Sequence, residues 1–171
     1  IGIDLAPHIE QGLFHIHAVR PSLQGLEMHL AVMQKMVDEI SPQIVVIDPI
    51  SSFGALGSAI EIRAMLVRLI DFLKVKNITT ALTSLSRAGE SLERTETEIS
   101  SLIDTWLMLR DIELNGERNR GIYVLKSRGM AHSNQLREFH LTPRGVQLTD
   151  VYLGAEGVVT GTARLSQEAR D

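Results

Sequence analysis

Two short stretches of this 171-residue chain combine residue types and spacings suited to chemistry on a phosphate ester. The first is Ile44-Val45-Val46-Ile47-Asp48, a continuous apolar run closed by a carboxylate, which is a Walker B pattern. A carboxylate at the C-terminal end of a buried parallel strand faces the crevice where open α/β sheets bind ligands. There it can hold the water shell of a nucleotide-bound Mg²⁺. The bland alternative is an Asp that merely ends a strand. The second stretch is Lys126-Ser127-Arg128-Gly129-Met130-Ala131-His132, which follows the strand-like Tyr123-Val124-Leu125. In an extended chain Lys126 and Arg128 project to the same side. Two cations there can clamp a phosphate, or simply form a solvated strand end.

Other groups carry less. Ser100-Ser101 stand between a polar, acidic stretch and apolar Leu102-Ile103, where serine usually caps or turns. His15 and His17 share one face of an alternating segment, but no third metal ligand accompanies them. Trp106 reads as a core residue. The phosphate loop G-x-x-x-x-G-K-[ST] occurs nowhere in the chain, so its cradle of backbone N–H groups and its lysine are missing.

The elements that must position these residues follow from periodicity. Residues 13–19 alternate and predict a strand stopped by Pro21. Leu23, Leu26, Leu30, Met33, Val37 and Ile40 predict an amphipathic helix, started near Ser22 or Gln24 and ended by Ser41-Pro42. The β-branched run 44–48 predicts a strand covered on both faces. Residues 49–58 read as a loop, and Ile62, Met65, Leu66, Leu69, Phe72 and Leu73 mark a second helix. Residues 78–84 form a further buried strand. Strand and helix alternating with short links is the βαβ signature of a parallel sheet.

Residues 85–98 are polar and read as a loop or short exposed helix. The character then changes. Residues 105–114 and 121–126 are strand-like, and Asn115-Gly116 between them signals a hairpin. Residues 136–141 give one more strand, followed by a turn at Pro143-Arg144-Gly145. Residues 1–150 therefore read as one α/β unit with an antiparallel β extension. Residues 151–171 read as a tail without periodicity, with a helix beginning near Ala163. The first strand and helix read as the middle of an α/β domain, so the expectation is that a phosphate loop lies before Ile1.

Hydrophobic residues make up 44% and charged residues 22%, ordinary for a globular chain. A net charge of −4 argues against a broad nucleic-acid footprint. No apolar run approaches the roughly 20 residues that span a bilayer, and nothing resembles a signal peptide. A cytoplasmic protein is the expectation. The chain has no cysteine.

Taken together the segments resemble the KaiC family of RecA-like ATPases and autokinases. The resemblance is carried by Asp104-Thr105 through Phe139, including Arg118-Asn119-Arg120, Lys126-Ser127-Arg128-Gly129, His132 and Leu136-Arg137-Glu138-Phe139. Val45 to Ser51, and Arg20-Pro21 before a helix, fit as well. It implies a RecA-like P-loop NTPase core whose Walker A segment is not in this chain. It also implies a homo-hexameric ring with ATP and Mg²⁺ at subunit interfaces. Asp48, Ser51, Arg120 and His132 would contact the nucleotide, with Asp48 holding Mg²⁺ through water. Lys126 and Arg128, with His132, would reach a neighbouring subunit's nucleotide in trans. The family's autophosphorylated pair matches Ser100 and Ser101, the second position being Ser rather than Thr, with Thr95 at a third hydroxyl. KaiB-like proteins or signalling kinases are the implied partners, and clock or signalling regulation the implied role. The family's paired catalytic glutamates follow its phosphate loop and are absent from these residues. By this resemblance the chain alone is expected to be inactive. The competing readings are a DNA-dependent RecA-like recombination ATPase and a non-catalytic docking module.

Overall fold

The structure is a computed structural model and describes residues 2–85, 101–114, 117–149, 152–154 and 157–159. The chain divides into two compact units, residues 16–103 and residues 1–15 with 104–171.

The first unit is built on a β-α-β element. Strand β1 (Ile44–Ile47) lies parallel to β2 (Thr79–Leu82), with Ile44 opposite Thr79 and Ile47 opposite Leu82. Helix α3 (Ala59–Val75) connects them, as a parallel pair requires. Helix α2 (Leu26–Ile40) precedes β1 and ends where Ser41 turns left-handed at φ 51°. Its N-cap is Gly25, and a separate 3-10 turn, Pro21–Leu23, occupies the predicted first turn. Residues 49–58, read as a loop, contain a 3-10 helix at Ile50–Ala55. Helix α3 begins three residues earlier than the periodicity indicated. Ser58 caps it, accepting from the Glu61 N–H while the Glu61 carboxylate accepts from the Ser58 N–H.

The core of this unit joins Leu30 and Val37 of α2, Ile50 and Phe53 of the 3-10 helix, and Met65, Leu66, Leu69 and Leu73 of α3. Val45, Ile47 and Leu82 pack on it from the sheet. The expectation that β1 is covered on both faces, and that β2 is buried, is corrected by the exposure of alternate residues. Ile44 is 64% exposed and Val46 62%, so only the alternate residues are covered among the described residues. A continuous β-branched run is compatible with burial on both faces, but it does not supply the second layer.

The second unit is antiparallel. Strand β3 (Thr105–Leu114) pairs with β4 (Glu117–Ser127), β4 with β5 (Arg137–Thr142), and β5 with β6 (Gly145–Leu148). Leu114 faces Glu117, so two residues separate the hairpin strands, as Asn115-Gly116 predicts. Those two residues lie outside the described ones. Strand β4 begins at Glu117, four residues before the predicted start, because charged Arg118 and Arg120 occupy an exposed face of a real strand. Gly121 is buried among side chains: a Cβ there would lie 2.6 Å from Ile112 Cδ1 and 2.9 Å from Leu136 Cδ1, so those side-chain ends would have to shift. Trp106 is half-buried rather than fully in the core.

Sequence periodicity also missed β6 and a short hairpin of β7 (Tyr152–Gly154) and β8 (Gly157–Val159). The strand predicted at 13–19 does not form. Those residues are exposed and pair with no strand among the described residues, while a short helix α1 (Ala6–Glu10) precedes them. Alternation describes one strand, and a strand also needs a neighbour to complete its hydrogen bonds. The helix expected near Ala163, and residues 86–100 with Thr95 and Ser100, lie outside the described residues.

Candidate functional site

Asp48 follows β1 at its C-terminal end and is exposed. The Thr83 hydroxyl, just past β2, donates to Asp48 Oδ1. The backbone locks the two strand ends together: Thr83 N–H donates to Ile47 O at 3.0 Å, and Ile50 N–H to Thr83 O at 2.8 Å. Ser51 stands beside them, its hydroxyl oxygen accepting from Leu85 N–H at 3.1 Å. Thr83 and Leu85 were not singled out from sequence. The signal that could have found Thr83 is its position one residue beyond a strand parallel to β1. Asp48 and Ser51 are thus brought together with the end of β2, at the edge where α/β sheets bind ligands.

This donor set suits Mg²⁺. Its oxygens are hard ligands, one carboxylate with hydroxyls beside it, and Mg²⁺ keeps several waters and takes one or two carboxylates plus substrate phosphates. Among the described residues no group of three or more His, Cys, Asp and Glu forms a cage that would hold a metal by itself. His15, which the sequence paired with His17, instead sets its Nε2 3.0 Å from Gly12 O.

In the second unit a bulge governs the cations. Trp106 faces Lys126 but Leu107 faces Val124, so Leu125 is an extra residue of β4. Lys126 therefore shares a face with Trp106, Met108 and Gly121, while Arg120 lies on the opposite face with Asp111. Arg120 is also six residues, roughly 20 Å of strand, away. The structure does not bring Arg120 and Lys126 together. Arg118 pairs with Asp111 at 2.7 Å and approaches Glu113 at 3.9 Å on the Arg120 face. Arg128 N–H donates to Asp104 O at 2.8 Å, continuing the ladder, so Arg128 shares the Lys126 face as expected. Gly129, at φ +71°, then turns the chain away, a conformation that glycine adopts without strain. His132 is exposed, its Nδ1 3.3 Å from Ser133 O. Ser101 is exposed in a turn ahead of β3.

A separate cleft of about 340 Å³ opens between the start of α2 and α3, lined by Leu26, Leu56, Glu27 and Arg68 among others. Its charges are already matched. Arg68 Nη1 donates to Glu27 Oε2 at 3.0 Å, holding the Glu27 carboxyl below its ordinary range. It is therefore a structural ion pair beside a groove.

The parallel strand pair with its connecting helix and the antiparallel sheet define an α/β chain with a carboxylate at a parallel strand's C-terminal end. The family model described as "ATPase: KaiC" matches residues 1–151, and the chain belongs to that family. It is 46% identical over 98% of its length to the circadian clock protein KaiC2 of Synechocystis sp., of which it covers 30%. It is 32% identical over 94% of its length to the circadian clock oscillator protein KaiC of Thermostichus vulcanus, covering 31% of that protein. To KaiC3 of Synechocystis sp. it is 29% identical over 94%, covering 32%. The chain thus spans about a third of the length of the curated relatives it matches. These matches do not favour the recombinase reading. Among the described residues no helix is long and apolar enough to cross a membrane.

Proposed function

We propose that this chain is the Walker B and trans-cation portion of a RecA-like, KaiC-type ATPase that phosphorylates its own Ser100 and Ser101. The observation that carries this reading is Asp48 at the end of a parallel strand, tied to Thr83 and flanked by Ser51. Mg²⁺, when bound, would neutralise and align the phosphates. Asp48 would orient it through its water shell, and Ser51 would contact the nucleotide. Lys126 and Arg128, on one face at the end of β4, would meet charge developing on the transferred phosphoryl of a neighbouring subunit's ATP in a homo-hexamer. His132 would add a contact to that nucleotide, while Arg120, on the opposite face of β4, would not share the Lys126 contact. In the autokinase step the serine Oγ–P bond forms and the bond from the terminal phosphorus to the bridging oxygen breaks. ADP leaves with that electron pair, and the hydroxyl proton passes to a base or solvent. A cytoplasmic clock or signalling regulator, working with KaiB-like or kinase partners and not with DNA, is the role this reading assigns.

Phosphosite mapping of the full-length protein after incubation with Mg-ATP tests it. Phosphate on Ser100 or Ser101 is the expected result. ATP turnover with both serines unmodified would leave an ATPase and remove the autokinase.

A further inference from the structure

The two oxygens of the Asp48 carboxylate are held differently. Thr83, just past β2, gives its one hydroxyl hydrogen to Oδ1. Thr83 is itself fixed to the backbone on both sides of Asp48. Its N–H donates to Ile47 O at 3.0 Å, and its O accepts from Ile50 N–H at 2.8 Å. Among the described residues no group donates to Oδ2. Thr83 is exposed, so its hydroxyl is not there to fill the core.

We propose that Thr83 is a positioning residue that sets the metal preference of Asp48: by holding Oδ1 it offers Oδ2 alone, which favours Mg²⁺ over Ca²⁺. This rests on the reading of Asp48 as the carboxylate that orients a nucleotide-bound Mg²⁺. The two cations ask different things of a carboxylate. Ca²⁺ is larger, sheds water readily and often takes both oxygens of one group. Mg²⁺ keeps several of its waters and is met through one oxygen or through water. A hydroxyl donated to an ionised carboxylate is a charge-assisted bond. It draws lone-pair density from Oδ1 and fixes how the group is turned, so chelation through both oxygens has to compete with it. The backbone bonds of Thr83 to Ile47 and Ile50 keep the hydroxyl from following a carboxylate that rotates.

The test measures equilibrium binding of a non-hydrolysable ATP analogue to the full-length protein, in saturating Mg²⁺ and in saturating Ca²⁺, so no turnover is needed. The ratio of the two affinities is the readout. Wild type is expected to prefer Mg²⁺. Thr83→Val keeps the β-branched shape and both backbone bonds but deletes the O–H, and should cut that preference roughly tenfold. Thr83→Ser restores the hydroxyl and should keep it. Circular dichroism confirms that each variant is folded. An unchanged ratio in Thr83→Val, or an equal loss in Thr83→Ser, overturns the proposal. Asp48→Asn separates it from the reading beneath it. A preference lost in Asp48→Asn but kept in Thr83→Val removes the role of Thr83 alone. A preference that survives Asp48→Asn, or is missing from wild type, removes both. Unmodified serines in the phosphosite mapping would remove the autokinase and leave this metal preference standing.

Discussion

Asp48 owes its place to residues that sequence spacing does not connect. Thr83 is thirty-five positions away, yet it donates to the carboxylate because β1 and β2 are adjacent and parallel. The strand and its terminal carboxylate were legible because an apolar β-branched run closed by Asp is a local pattern. The hydroxyl that orients the Asp was not, since it depends on strand pairing. Lys126 and Arg128 were legible as a pair, but Arg120 was not separable from them until the bulge at Leu125 placed it on the other face. The proposal for the two cations has a kinetic consequence. Lys126→Ala and Arg128→Ala in the full-length protein should each lower phosphoryl transfer at least tenfold while ATP affinity changes little, because such cations act on the transition state. Single-turnover rates set beside equilibrium ATP binding check this, and equal losses in both would assign the residues to ground-state binding.

At the scale of elements, helices were read well and sheets unevenly. Leu66, Leu69 and Leu73 recur at helical spacing and are all buried, so α3 could be drawn from the sequence alone. Its start could not, because Ala59 to Glu61 add no clear apolar stripe and the boundary is set by the Ser58 cap. That cap makes a specific prediction. Ser58→Ala should destabilise the chain by about 1 kcal/mol in urea unfolding. The Ser58 N–H and then its hydroxyl hold the Glu61 carboxyl below its ordinary value of 4.5. A depressed folded value means stability that is present above the unfolded value and lost as pH falls through the folded one. Wild type should therefore exceed Glu61→Gln in stability near neutral pH, and the two should converge as pH drops below about 4.5. A gap that stays constant with pH would mean the carboxylate charge plays no part. The strand drawn at 13–19 failed for the opposite reason: its local pattern was right, and a partner was lacking among the described residues.

For the whole molecule, the 171 residues contain a strand-end carboxylate and a pair of cations but no G-x-x-x-x-G-K-[ST] loop. In the proposed reading Asp48, Lys126 and Arg128 act on phosphates that other backbone N–H groups and a lysine must first hold. Isothermal calorimetry on this chain should therefore find ATP binding weaker than 1 mM, about −4 kcal/mol. Submillimolar affinity would show that the residues present suffice. The bulge in β4 also bears on how relatives are compared with this chain. Because Leu125 has no partner across the hairpin, the strand carries one uncounted position between its charged tip and its cations. The two ends are out of phase. A relative one residue shorter there would still set its next cation opposite Trp106, whereas one of equal length without the bulge would set that cation opposite Thr105 and turn it to the other face. Equal length through β4 therefore does not by itself mean a shared cation face.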